Sequence, residues 1–143
     1  MSPARRPTVE PLEDDERSQL EVQTRRNLDG MELEAAGQIQ QAMALYELNV
    51  AEGFTGDWPY SRLVGVYERQ GAYDEAERVL RRAIEVTRAD RRRPASDRRS
   101  VLEGLQGRLR VLKKTAQAAR ARAKGGKPAG HTFVPLPMLD QSR

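Results

Sequence analysis

This chain of 143 residues contains no cysteine and a single histidine, His131. The first absence excludes disulfides, thiol nucleophiles and cysteine-ligated metal sites. The second rules out an imidazole cluster within one chain and leaves no serine with both a histidine and a carboxylate in a triad-like set. Aromatic residues make up only 5%, and no apolar run approaches the roughly 18–20 residues of a membrane span. The opening stretch MSPARRPTVEPLEDDERSQL has arginines but no apolar run behind them, so it does not read as a secretory signal. The expectation is a cytoplasmic protein that is not an enzyme and needs neither metal nor cofactor.

Charge is abundant. Charged residues make up 32% of the chain and hydrophobic ones 38%, so any fold must rest on narrow apolar faces with solvated backs. The length suits one domain with a real core. The net charge of +4 hides a division between the two parts of the chain. Residues 1–90 carry 11 Lys/Arg against 18 Asp/Glu, and residues 91–143 carry 14 against 3. The basic character belongs to the last third.

Periodicity predicts helices throughout, hence an all-α chain. Residues 1–13, rich in proline, are expected to be disordered. Asp14 to about Ala36 suits a helix, with Leu20, Leu28, Met31 and Ala35 near one face and Gly30 as an interruption. After Gly37, a second helix carries Ile39, Ala42, Met43, Tyr46 and Val50, and Gly53 and Gly56 close it. Asp57 is a candidate cap for a third helix, with Trp58 and Pro59 in its first turn. Leu63, Val64, Val66 and Tyr67 form its apolar side, and Gly71 ends it. A fourth helix follows with Tyr73, Ala76, Leu80, Ala83 and Ile84 on one face. Its acidic Asp74 and Glu75 sit at the start and its arginines toward the end, as the helix dipole favours. Residues 97–119 predict a fifth helix, capped by Ser96. Leu102, Leu105, Leu109, Leu112, Ala116 and Ala119 line one face, and Arg99, Arg110, Lys113 and Arg120 the other. From residue 121 a flexible basic tail is expected. It contains an apolar patch, Phe133 to Leu139, that is either an unstructured end or a linear segment docking in a groove.

Positions 34 apart match in kind. Gly37 pairs with Gly71, Ile39 with Tyr73, Ala42 with Ala76, Leu45 with Val79, Tyr46 with Leu80 and Val50 with Ile84. A helical hairpin repeated every 34 residues resembles the tetratricopeptide repeat (TPR) family. The better copy spans about 57–90, with Tyr60, Leu63, Tyr67, Gly71, Tyr73, Ala76, Leu80 and Ala83 at the family's positions. Val64 departs from the small residue favoured there, and Arg88 from a common proline. The earlier copy, about 23–56, departs at Arg26, Asp29 and Asn49, and a one-residue slip would bring in Leu28.

The resemblance implies a short right-handed α-solenoid of two hairpins with 97–119 as a capping helix, together making a helical domain over 14–120. It implies a protein–protein interaction module, an adaptor or scaffold, whose first helices line a concave face. By position that face holds Asn27, Met31 and Glu34 from the first copy, and Trp58, Ser61, Gly65, Glu68 and Arg69 from the second. The lysines and asparagines with which one subgroup grips chaperone tails have only Asn27 and Arg62 near them here. Two other readings stay open: a nucleic-acid-associated protein using the basic segment, and a self-associating homo-oligomer. Lys124-Gly-Gly-Lys127 lacks both the hydroxyl residue and the preceding strand of a phosphate loop.

Overall fold

A computed structural model describes residues 11–125, whose regular secondary structure is all α-helix. The elements are α1 (Asp14–Ala35), α2 (Ile39–Ala51), α3 (Trp58–Arg69), α4 (Tyr73–Ala89) and α5 (Ala95–Gly125). Each helix packs against the next in sequence, and α2 also touches α4. No described helix is long and apolar enough to cross a membrane. Residues 1–10, His131 and the Phe133–Leu139 patch lie outside the described residues.

The turns repeat atom for atom. At the end of α1 the Gln38 N–H donates to Leu33 O at 2.8 Å and the Gly37 N–H to Glu34 O at 3.0 Å. Thirty-four residues on, the Ala72 N–H donates to Tyr67 O at 2.8 Å and the Gly71 N–H to Glu68 O at 3.0 Å. This is the Schellman closure, which satisfies terminal carbonyls through a residue in the left-handed region. Gly37 and Gly71 have φ of 78° and 73°, a conformation that costs an L side chain about 1–2 kcal/mol. The α2–α3 turn closes the same way, with Gly53 at φ 75°.

The core lies among α2, α3 and α4. Ala42, Met43, Tyr46 and Val50 meet Tyr60, Leu63, Val64 and Val66, and beyond them Ala76, Val79, Leu80 and Ala83. Leu112 of α5 joins this cluster, with Leu105 and Leu109 packed against it. Each fully buried Val or Leu contributes about 1.5–3 kcal/mol of transfer free energy. Ala42 and Ala76, one repeat apart, are both fully buried, so neither site has room for a longer side chain.

α1 is held differently, and here the structure corrects the sequence reading. Leu20, Leu28, Met31 and Ala35 do share one side of the helix, but that side is exposed. The inner side is polar except for Leu33, which packs against the core. Asn49, wholly buried, donates through Nδ2 to Gln23 O and to Asn27 Oδ1, each at 2.9 Å. It accepts from Arg26 Nη1 at 3.1 Å, and Arg26 Nη1 also reaches Glu52 at 2.8 Å. Gln23 donates to the same Glu52 carboxylate at 3.1 Å. Arg26 and Asn49 therefore depart from the repeat pattern together, each satisfying the other, and no one-residue slip brings Leu28 inside. Gly30 does not interrupt the helix. It is buried against Tyr46, where a Cβ would lie 2.4 Å from the ring.

Three terminal details also differ. The Asp57 side chain makes no cap bond to a backbone N–H and instead accepts the Ser61 hydroxyl at 2.7 Å. α5 begins at Ala95, which places Ser96 inside it, and it runs through 121–125 rather than stopping at 119. α5 lies back along α4: Arg98 donates to Asp90 O at 3.1 Å near one end, and Arg120 reaches Asp74 at 2.7 Å near the other.

Candidate functional site

The face shared by α1 and α3 is organised around Glu34. Its carboxylate accepts the guanidinium of Arg62 through both Nε, at 3.1 Å, and Nη2. It also accepts the Tyr46 hydroxyl at 2.5 Å. That hydroxyl oxygen in turn receives the Trp58 indole N–H at 3.2 Å. Arg62 closes the ring by lying over the Trp58 indole, 5.6 Å from its centroid, as cation–π attraction favours. Four side chains from three helices thus form one closed cycle. The cycle is possible because Gly30 leaves room for the Tyr46 ring.

The titration of these groups follows from the cycle. Burial pushes the Glu34 carboxyl up, but hydrogen bonds from Arg62 and Tyr46 and the Arg62 charge outweigh it, leaving the carboxyl below its usual range. Burial first, then the hydrogen bond to Glu34, pushes the Tyr46 hydroxyl up to about 12. Glu34 is therefore a bound anion and Tyr46 a neutral donor at neutral pH.

The predicted surface residues divide into tied and free. Glu34 and Trp58 belong to the cycle, although 39% of Trp58 stays exposed. Asn27 is tied to Asn49, and Ser61 to Asp57. Glu68 accepts from Arg108 of α5 at 3.4 Å, which extends the face to a third helix. Met31 is 43% exposed, one turn before Glu34. Arg69 is exposed, and its guanidinium lies near the space above Gly65.

Sequence reasoning missed Tyr46 as the link to Trp58, and Leu20 and Leu28 as surface residues. Leu28 is 43% exposed, and together with Leu20, Met31 and Trp58 it gives α1 and α3 several large exposed apolar side chains. Arg62 entered the sequence reading only beside Asn27, and its pairing with Glu34 was not legible there. A cleft lies elsewhere. It is an open hollow of about 560 Å³ between α4 and α5, lined by Arg81, Ile84, Arg88 and Leu109 among others, and it contains none of the predicted residues. Among the described residues no three His, Cys, Asp or Glu side chains are placed to hold a metal ion.

No family model matches this chain, and no curated protein or solved structure matches it.

Proposed function

We propose that this chain is a non-catalytic protein–protein interaction module. In this reading, two TPR-like hairpins, about 23–56 and 57–90, form a short right-handed solenoid, and α5 is its capping helix. The α1–α3 face takes a protein or peptide partner. One observation carries the reading: large apolar side chains remain exposed on a rigidly braced surface. Leu20, Leu28 and Met31 are exposed on one side of α1, and Trp58 is exposed on α3 and bonded through Tyr46 to Glu34 of α1. Clustered exposed apolar groups mark interaction surfaces more often than isolated ones do.

The polar groups around these side chains are already satisfied, which suits a binding surface rather than a reacting one. The Glu34–Arg62–Trp58–Tyr46 cycle fixes the indole without consuming its outer face. A half-exposed tryptophan held in one orientation is a natural anchor for a partner's apolar side chain. Asn27 and Ser61 lie on the same two helices, and Glu68 and Arg69 add charge at the end of α3.

Affinity purification from the native host tests the reading. The wild-type chain should retain a protein that the Met31→Glu and Trp58→Ala variants each lose, with thermal unfolding of Met31→Glu unchanged because its side chain is exposed. A set of co-purifying proteins identical for all three chains would refute it.

A further inference from the structure

We infer that the outward face of α5 binds the phosphate backbone of duplex nucleic acid. The inference does not rest on the α1–α3 face. It starts from an imbalance in ion pairing. On α1–α4 nearly every arginine meets a carboxylate: Arg26 with Glu52, Arg62 with Glu34, Arg78 with Glu47, Arg81 with Glu77 and Arg82 with Glu85. α5 carries nine lysines and arginines against two acidic residues. Only Arg108 and Arg120 reach a carboxylate among the described residues, on Glu68 and Asp74.

The unpaired cations are ordered in space. Arg99, Arg110, Lys113, Lys114 and Lys124 fall within about 100° of arc on one side of α5, centred about 120° round the helix from buried Leu112 and Ala116. All five are exposed. Glu103 is the one acid in the row. From Arg99 to Lys124 the row runs about 37 Å at 1.5 Å per residue. Arg110 also faces Lys113 and Lys114 at three- and four-residue spacing, where like charges cost a helix a few tenths of a kcal/mol. The charges of Arg110, Lys113 and Lys114 therefore do not support α5.

The chemistry of the face selects the partner. α5 contains no aromatic residue, and Val111, 64% exposed, is its one large apolar side chain open to solvent. An acidic protein surface would need central aromatic or aliphatic anchors, which this face lacks. An anionic membrane is held most firmly when charge is joined by an apolar helix side, and that of α5 is turned into α4. A polyanion bound by charge alone needs neither. Duplex nucleic acid presents one negative charge per about 1.7 Å of axis and is held through counterion release.

The test uses the full chain and a fluorescein-labelled 30-base-pair duplex, as DNA and as RNA, followed by anisotropy. With about five phosphate contacts, affinity should fall several hundredfold between 50 and 200 mM salt. Changing Arg110, Lys113 and Lys114 together to glutamine should weaken binding at least tenfold at 50 mM salt. The same change should make the salt slope shallower by about one for each cation removed. Arg78→Gln, on α4, should leave binding unchanged. No binding at 50 mM salt would overturn the proposal, as would an unaltered triple variant. Polyglutamate or phosphatidylserine vesicles bound as tightly as either duplex would overturn it too.

Discussion

The Tyr46 ring lies against the backbone of Gly30, so closely that a Cβ on Gly30 would sit 2.4 Å from Cε1 and 2.7 Å from Cζ. One repeat later the same two positions hold Val64 and Leu80, both buried. Bulk has been exchanged across the hairpin: a glycine faces a tyrosine in the first copy, and a valine accompanies a leucine in the second. Gly30→Ala should therefore destabilise the fold by about 1–3 kcal/mol, the range for overpacking a core. Helix propensity favours alanine by only about 1 kcal/mol, so the clash decides the sign. Tyr46→Leu in the Gly30→Ala background should recover part of the loss. Urea denaturation of the single and double variants measures both.

The second expectation concerns the pair that departs from the repeat together. Asn49→Ala removes the donor to Gln23 O and Asn27 and the acceptor for Arg26, all on the inner side of α1. A buried group left without a partner costs about 1–3 kcal/mol, and the change should destabilise by that order. The second hairpin holds Tyr60 and Ala83 at these two positions and stays packed. The double change Arg26→Tyr with Asn49→Ala should therefore cost less than the sum of the singles. A double-mutant cycle by chemical denaturation reads the coupling directly.

These two pairs also explain what the sequence made legible. The turns, the α2–α4 core and the 34-residue register follow from apolar spacing and glycines, because Ala76, Leu80 and Ile84 are buried by a single stripe. α1 does not follow. Apart from Leu33, which packs against the core, its inner face is Gln23, Arg26, Asn27 and Gly30, polar or bare, and their partners Asn49 and Glu52 come from more than twenty residues away. Hydropathy registers transfer from water one residue at a time, so it cannot register a polar group satisfied by a distant one. For the same reason Leu20, Leu28 and Met31 resemble an inner face in sequence and are exposed in the structure. Glu34 and Trp58 were each legible one position at a time. Their link through Tyr46 was not, because its register assigns that residue to the core.

Acid should loosen the α1–α3 contact through Glu34. Its carboxyl titrates below the usual range in the folded chain, so its contribution is complete above that range and is lost as pH falls through the depressed value. The measurement is the urea midpoint from pH 7 down to pH 3 for the wild type and Glu34→Gln. The wild type should be the more stable at pH 7, and the gap should close on acidification. Trp58 is the only tryptophan in the chain and hydrogen-bonds to Tyr46, so its emission should shift over the same pH range. A gap independent of pH would show that the carboxylate charge contributes nothing.

Two glycines on one helical hairpin should respond to alanine with opposite signs. Gly71 has φ of 73° and nothing within 4 Å of its would-be Cβ, so space is not its constraint. Backbone conformation is, and Gly71→Ala should destabilise by about 1–2 kcal/mol. Gly65 lies within α3 without a positive φ, and its nearest neighbour would be the flexible Arg69 Nη1 at 3.8 Å. Gly65→Ala should therefore stabilise the chain by up to about 1 kcal/mol through helix propensity. The pair also separates folding from binding. Gly65 stands on the proposed face between Ser61 and Glu68, so filling it with Gly65→Leu should lower affinity for a captured partner while thermal unfolding stays at or above the wild-type value. If Gly65→Leu binds its partner as well as the wild type does, this stretch of α3 lies outside the contact, and the surface ends at Trp58 and α1.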